Sequence, residues 1–319
     1  IGMQAGAVLD DVSACVIIGI GACIALNHAD AIGSVLIGSN AGAALTDGIG
    51  NVAVGYQALK VEDDGDHNTA IGYSALVAQT GTSGEVANTA VGYQAGLSMT
   101  KGRYNTMMGS KALYTDDVGD RSTAIGYNSL YSQNSDSDNE VTGNTGLGMY
   151  SGFYNVTGQE NTYLGYQAGY GASGQSNNSN VGVGTNALLS VTTGGSNVCV
   201  GKDAGEFITG ASGSCFIGKQ AGQGITGTKL TGTNNVAIGK ESGLLLQGAA
   251  HSNTLVGGTA GNAITTGTGN TLIGHAAGLL ANTAANNVMI GTSCGDATLD
   301  SSNHVLIGVG TGGNGDIAA

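Results

Sequence analysis

Asn88-Thr89-Ala90-Val91-Gly92-Tyr93-Gln94-Ala95-Gly96 decides how this chain folds, because it comes back. It returns as Asn161-Thr162-Tyr163-Leu164-Gly165-Tyr166-Gln167-Ala168-Gly169 and, more loosely, from one end of the sequence to the other. The central glycine recurs at Gly2, Gly19, Gly38, Gly55, Gly72, Gly92, Gly109, Gly126, Gly148, Gly165, Gly184, Gly201, Gly218, Gly239, Gly257, Gly274, Gly291 and Gly308, and eleven of the seventeen spacings are 17 residues, the others 18 to 22. A unit of that size cannot bury its own apolar face and must stack on its neighbours. The 319 residues would suggest two or three globular domains from length alone. The unbroken period instead makes residues 1–319 a single repeat-built domain.

Each copy reads as a short strand closed by a corner. The residue before the register glycine is aliphatic, as in Ile1, Val54, Ile71, Met108 and Leu147, and three before it stands Thr or Val in every readable copy but that of Cys215. β-Branched residues two apart indicate a strand. Asparagine precedes that strand in twelve copies, from Asn51 to Asn287, and stacked coils would let these amides bond along the stack as a ladder. The glycines at the strand ends, among them Gly55, Gly72, Gly92, Gly109, Gly126, Gly165, Gly201, Gly218, Gly239, Gly274 and Gly291, turn the chain, and a small residue three further on (Ala58, Ala75, Ser129, Ala168) suits a tight corner. All length variation falls in the remaining Gly/Ser/Asn/Asp-rich phase, as in the excess between Gly126 and Gly148 and between Gly218 and Gly239. The fold expected is all-β: a parallel β-solenoid, or β-roll, of coils of about 17 residues, seventeen of which would make a rod on the order of 80 Å long.

Strand alternation gives an assembly expectation. With the Thr/Val and the aliphatic residue turned inward, the position between them points out, yet it is mostly apolar: Ala53, Ala70, Ala90, Met107, Tyr163, Phe216, Leu255, Leu272, Met289, Leu306. Soluble monomers avoid so long an apolar row. Coils of other chains are expected to cover it, most simply in a homotrimer.

Composition narrows the partners. Glycine supplies 59 residues, proline and tryptophan none, and a formal charge of −13 with nine Lys and Arg in all excludes a phosphate-binding surface, hence nucleic acid. No run of 18 apolar residues is present to enter a membrane, and no signal-peptide pattern stands at the start. Ile1-Gly2-Met3 falls in mid-repeat, so the sequence reads as a piece of a longer fibre. Cys15, Cys23, Cys199, Cys215 and Cys294 are odd in number and lack metal spacing; Cys199 and Cys215 fall on opposite sides of neighbouring strands, so they read as small buried hydrophobes, not a disulfide. Free thiols weigh against passage through an oxidising periplasm.

Segments such as Asn235-Val236-Ala237-Ile238-Gly239-Lys240-Glu241-Ser242 and Asn68-Thr69-Ala70-Ile71-Gly72-Tyr73-Ser74-Ala75 resemble the head repeats of trimeric autotransporter adhesins of the YadA type. The Asn88–Gly96 and Asn161–Gly169 copies look equally like the NTAIGYQAG arrays of bacteriophage tail-fibre proteins. The resemblance covers essentially the whole chain, although the adhesin heads use a shorter unit. It implies a left-handed β-roll, three chains per head, and adhesion to a cell or matrix surface. The expected role is a structural and adhesive tail-fibre segment on a virion that binds a host cell surface. The alternatives are the head of a bacterial surface adhesin and a self-assembling extracellular filament.

A stripe just after the register glycine is the candidate binding surface: Tyr56, Tyr73, Tyr93, Tyr127 and Tyr166, giving way to Lys202, Lys219 and Lys240. Its expected partner is a cell-surface glycan or protein receptor, against the simpler reading that the rings stack on one another and the lysines are solvated beside Asp203 and Glu241. The acidic clusters Asp63, Asp64, Asp66 and Asp136, Asp138, Glu140 lack EF-hand spacing and read as solvated loop carboxylates, so no metal and no cofactor is expected. With the acids in variable loops and His28, His67, His251, His275 and His304 scattered, there is no catalytic constellation and no enzyme is expected. A threonine-lined ice-binding face is set aside because the threonines are expected to point inward.

Overall fold

The computed structural model describes residues 2–6, 14–25, 33–81, 84–296 and 301–312; Ile1, His28 and the tail beyond Gly312 lie outside them. The chain divides into two compact units, residues 1–160 and 161–319. Each is a parallel β-solenoid of coils of about 17 residues, with about 16 turns between them, and among the described residues there is no helix. Among the described residues of the first unit, eight three-residue strands, from Val16–Ile18 to Thr145–Leu147, pair parallel with equivalent residues side by side, such as Ala53 with Ala70 and Ile71 with Val91. Among the described residues of the second unit, nine strands, from Thr162–Leu164 to Val305–Ile307, do the same.

Two features fix the register. The first is the glycine at each strand end. Gly55 has φ +139°, and a Cβ there would stand 2.3 Å from the carbonyl oxygen of Gly72; the Cβ of Gly72 would stand equally close to that of Gly92. Neither the backbone angle nor the approach of the next coil admits a side chain. The second is the asparagine column, wholly buried. The Oδ1 of Asn51 accepts the backbone N–H of Asn68 at 2.8 Å, and the same bond runs from Asn68 to Asn88, Asn88 to Asn105, Asn180 to Asn197, Asn253 to Asn270 and Asn270 to Asn287. Apart from that of Asn68, which is buried without a partner, the Nδ2 groups donate to a carbonyl of the following loop, as from Asn88 to Gly102 at 2.6 Å and from Asn253 to Gly267 at 2.8 Å. The ladder is therefore amide side chain to next-coil backbone, joined by side-chain pairs such as Asn197 Nδ2 to Asn180 Oδ1 at 3.0 Å.

The alternation expected for the strands is reversed. Between the first and last strands the middle residue is the buried one: Leu36, Ala53, Ala70, Ala90, Met107, Tyr163, Phe216, Leu255, Leu272 and Met289 lie in the coil's own core. The Thr/Val and aliphatic residues flanking it face outward, with Ile71 38% exposed, Met108 42% and Leu164 41%. The reason is the asparagine column. Asn four before the glycine is held inside by its bonds, and the residue two further on must share its side. Leu306 packs partly buried against the same core.

In most coils the core is filled by complementary sizes at two positions six residues apart. Where the mid-strand residue is large the corner residue is glycine, as in Leu36/Gly42, Tyr163/Gly169, Phe216/Gly222, Leu255/Gly261, Leu272/Gly278 and Met289/Gly295. Where it is small, leucine fills the space, as in Ala53/Leu59, Ala70/Leu76, Ala124/Leu130 and Gly182/Leu188. A Cβ on Gly169 would lie 2.2 Å from the Tyr163 ring. Ala90/Gly96, Met107/Leu113, Gly146/Gly152 and Ala237/Gly243 depart from the pattern; the Met107 sulfur of the next coil lies 2.6 Å from where a Gly96 Cβ would be, and Leu255 of the next coil 2.8 Å from where a Gly243 Cβ would be.

Candidate functional site

Parallel in-register stacking repeats every outward residue once per coil, so each unit presents continuous rows. The outward sheet face of the first unit carries Thr69, Thr89, Thr106, Thr123 and Thr145 beside Ile71, Val91, Met108, Ile125 and Leu147. That of the second carries Val198, Cys215, Val236, Thr254 and Thr271 beside Val200, Ile217, Ile238, Val256 and Ile273. Each pairs an aliphatic row with a row of Thr, Val or Cys, threonine throughout these coils of the first unit, and both rows are partly exposed along their length. The outer row expected from the sequence is thus buried in the core, and the face presented outward is built from the residues that reading had turned inward.

The tyrosines are placed on the surface, each between 43% and 49% exposed. Tyr56, Tyr73 and Tyr93 form one ladder, with ring centroids 5.0 and 5.5 Å apart and planes within 25° of each other. That separation is close to the coil spacing of about 4.8 Å. Stacking occupies the ring faces and leaves edges and hydroxyls to solvent. Tyr127 belongs to the same unit but meets Tyr150 edge-on at 5.4 Å, and Tyr166 stands exposed in the second unit. Lys202, Lys219 and Lys240 are exposed there; Lys202 lies 3.8 Å from Asp203 and Lys240 3.2 Å from Glu241. Exposed pairs of this kind contribute little to stability.

A second aromatic ladder escaped the sequence reading. Tyr114, Tyr131 and Phe153 stack at 4.9 and 5.1 Å, and Phe153 makes edge contacts with Tyr150 and Tyr154. The signal was available: all three follow their register glycine by five residues.

The acidic residues separate into two kinds. Asp138 accepts from Lys101 Nζ at 2.6 Å, Arg103 bonds Asn139, and Glu140 accepts the N–H of Asp136 at 2.8 Å, so the insertion after Gly126 is tied down by residues of earlier coils. Inside the first unit, however, the inward position seven past the register glycine, which is Leu45 and Met99 in two coils, becomes Glu62, Gln79, Asp116 and Gln133 in others, all buried. Asp116 Oδ2 accepts from Gln133 Nε2 at 2.6 Å and Oδ1 from the N–H of Ser135 at 3.1 Å. Burial raises its carboxyl above the usual range despite those bonds. Burial likewise pushes Glu62 up to about 7, with Asp63 adding to it and the Gly65 N–H opposing. Sequence reading missed both because the row mixes apolar and polar residues.

Cys199 is wholly buried, with burial pushing its thiol up, and Cys215 sits half-buried on the outer side. His67, His251, His275 and His304 stay scattered at separate coils. No protein-family model, no curated protein and no solved structure matches this chain.

Proposed function

We propose that this chain is a structural and adhesive fibre segment, carried on a virion as part of a tail fibre, whose copies associate as a homotrimer and contact a cell-surface glycan or protein. One observation supports the reading above the others: the outward sheet face of each unit is a row of partly exposed Thr/Val and aliphatic side chains repeated coil after coil. Monomers avoid contiguous apolar surface of that kind, and burying it between copies is favourable by about 25 cal/mol per Å². The tyrosine edges and the solvated lysines lie outside this face in sequence phase and remain for a receptor. Cross-linking of the purified chain, followed by binding of the labelled assembly to host cells, tests both halves. Discrete trimers that bind cells are expected; fibres of indefinite length in electron micrographs would favour the filament, and depolymerisation of capsule or glycan would favour an enzyme.

A second reading gains ground from the reversed alternation. Thr69, Thr89, Thr106, Thr123 and Thr145 point outward in successive coils, which removes the reason for setting an ice-binding face aside. A monomer that inhibits ice recrystallisation would support this reading and replace the trimer.

A further inference from the structure

Among the described residues, no side chain supplies a positive charge beside Glu62. Glu62 is wholly buried at a position filled by Leu45 in the preceding coil. Its Oε1 accepts the N–H of Gly65 at 2.9 Å and of Asp63 at 3.2 Å, whereas its equally buried Oε2 has no hydrogen-bond partner. A buried carboxylate oxygen without a donor is costly, and native proteins rarely leave one. Glu62, Asp63 and Asp64 each offer an oxygen, and these lie within 4.8 Å of one another. Carboxylate oxygens gathered on one irregular loop suit the flexible shell of six to eight oxygens that calcium takes, better than the near-ideal octahedron magnesium demands. Gly81 of the next coil faces the group. A Cβ there would stand 2.3 Å from Glu62 Oε1 and 3.1 Å from Asp64 Oδ1, so a residue without a side chain keeps the space beside the oxygens open. Among the described residues no Lys, Arg or His pairs with any of the three carboxylates. The acidic cluster at Asp136, Asp138 and Glu140 differs on this last point, since Lys101 already neutralises Asp138.

We infer that Glu62, Asp63 and Asp64 bind a divalent cation of calcium's size, with the buried Oε2 of Glu62 as its inner ligand and the two aspartates closing it from the solvent side. Bound there, the ion would supply the missing partner of Glu62 and hold the loop after Gly55 to the coil that follows.

Calorimetric titration of the full chain with calcium chloride and with magnesium chloride, paired with thermal unfolding in calcium and in EDTA, tests this. Expected are one calcium per chain, a weaker magnesium response, and a Tm higher in calcium than in EDTA. Asp63→Asn combined with Asp64→Asn, both at solvent-reachable positions, removes the calcium response while keeping the wild-type circular dichroism. Should that variant fail to fold, Glu62→Gln, which preserves volume, carries the same expectation. No heat and an unchanged Tm in millimolar calcium would overturn the site, as would an undiminished response in the variants or an equal response to magnesium.

Discussion

The ring of Phe216 lies against the α-carbon of Gly222, so closely that a Cβ on the glycine would stand 2.6 Å from the ring carbons. The two residues divide one volume. In other coils the division is made the opposite way, with Ala53 beside Leu59 and Ala70 beside Leu76, and those leucines sit at φ 49° and 47°, close to the 53° of Gly222.

Gly222→Leu alone should therefore destabilise through overpacking by about 1–3 kcal/mol, and Phe216→Ala alone through a cavity by about 3–5 kcal/mol. Together they reproduce the Ala53/Leu59 arrangement, so the double variant should be more stable than the sum of the two losses by at least about 1 kcal/mol. Urea unfolding of the four proteins measures this. Simple additivity would show that the two positions do not share a volume.

The register glycines should tolerate no side chain. Gly72 combines φ +139° with a next-coil carbonyl oxygen 2.3 Å from where its Cβ would be, so Gly72→Ala should cost about 3 kcal/mol or more. Gly227 has no neighbour within 4 Å of the position a Cβ would take, and Gly227→Ala should be nearly silent. Thermal melts of the two variants side by side check the contrast.

Asn253 accepts the N–H of Asn270 at 3.1 Å and donates to Gly267 at 2.8 Å. Asn253→Ala leaves both groups buried and unpaired, at a cost of about 1–3 kcal/mol. Asn253→Ser should cost less, because Ser214 holds the equivalent place and accepts the Asn235 N–H through its hydroxyl at 3.2 Å. Chemical denaturation that ranked Ser no better than Ala would show that the accepted backbone bond contributes little.

Asp116 supplies a pH dependence. Burial raises its folded pKa above the ordinary 3.8, so its contribution is fully present below that value and is lost as pH rises through the folded value. Wild-type stability should therefore fall relative to that of Asp116→Asn as pH is raised from acid toward neutral. Tm measured against pH for both proteins, with EDTA present, reads the difference; parallel curves would mean that Asp116 does not titrate in the folded chain over this range.

The coil and its closing glycine were legible because a stacked repeat writes its steric limits into every copy. The side on which each strand residue falls was not. In Val35-Leu36-Ile37 or Val288-Met289-Ile290 all three positions are apolar, so a three-residue strand shows no contrast from which to read alternation. The information lay in size: the middle position ranges from Gly182 to Tyr163 and in most coils trades volume with the corner residue six further on, whereas its neighbours, Cys215 aside, stay β-branched or aliphatic and face outward. Among the candidate sites, the tyrosine phase was readable and the stacking of Tyr56, Tyr73 and Tyr93 follows from it. Glu62 was invisible, since a carboxylate at an otherwise apolar position looks like a loop residue until the coil is closed around it.

If the outward sheet face is the surface on which copies meet, charges placed there should separate the chains without unfolding them. Ile217, Ile238 and Ile273 are 37–38% exposed, so their joint replacement by Lys should change the stability of a single chain by about 1 kcal/mol or less per site. Sedimentation equilibrium of the wild-type chain and of this triple variant is the most direct measurement. The expected result is a wild-type mass three times the 31.2 kDa of one chain and a folded variant at 31.2 kDa. A wild-type chain that sediments as a monomer at all concentrations, or a variant that keeps the wild-type mass, would contradict it.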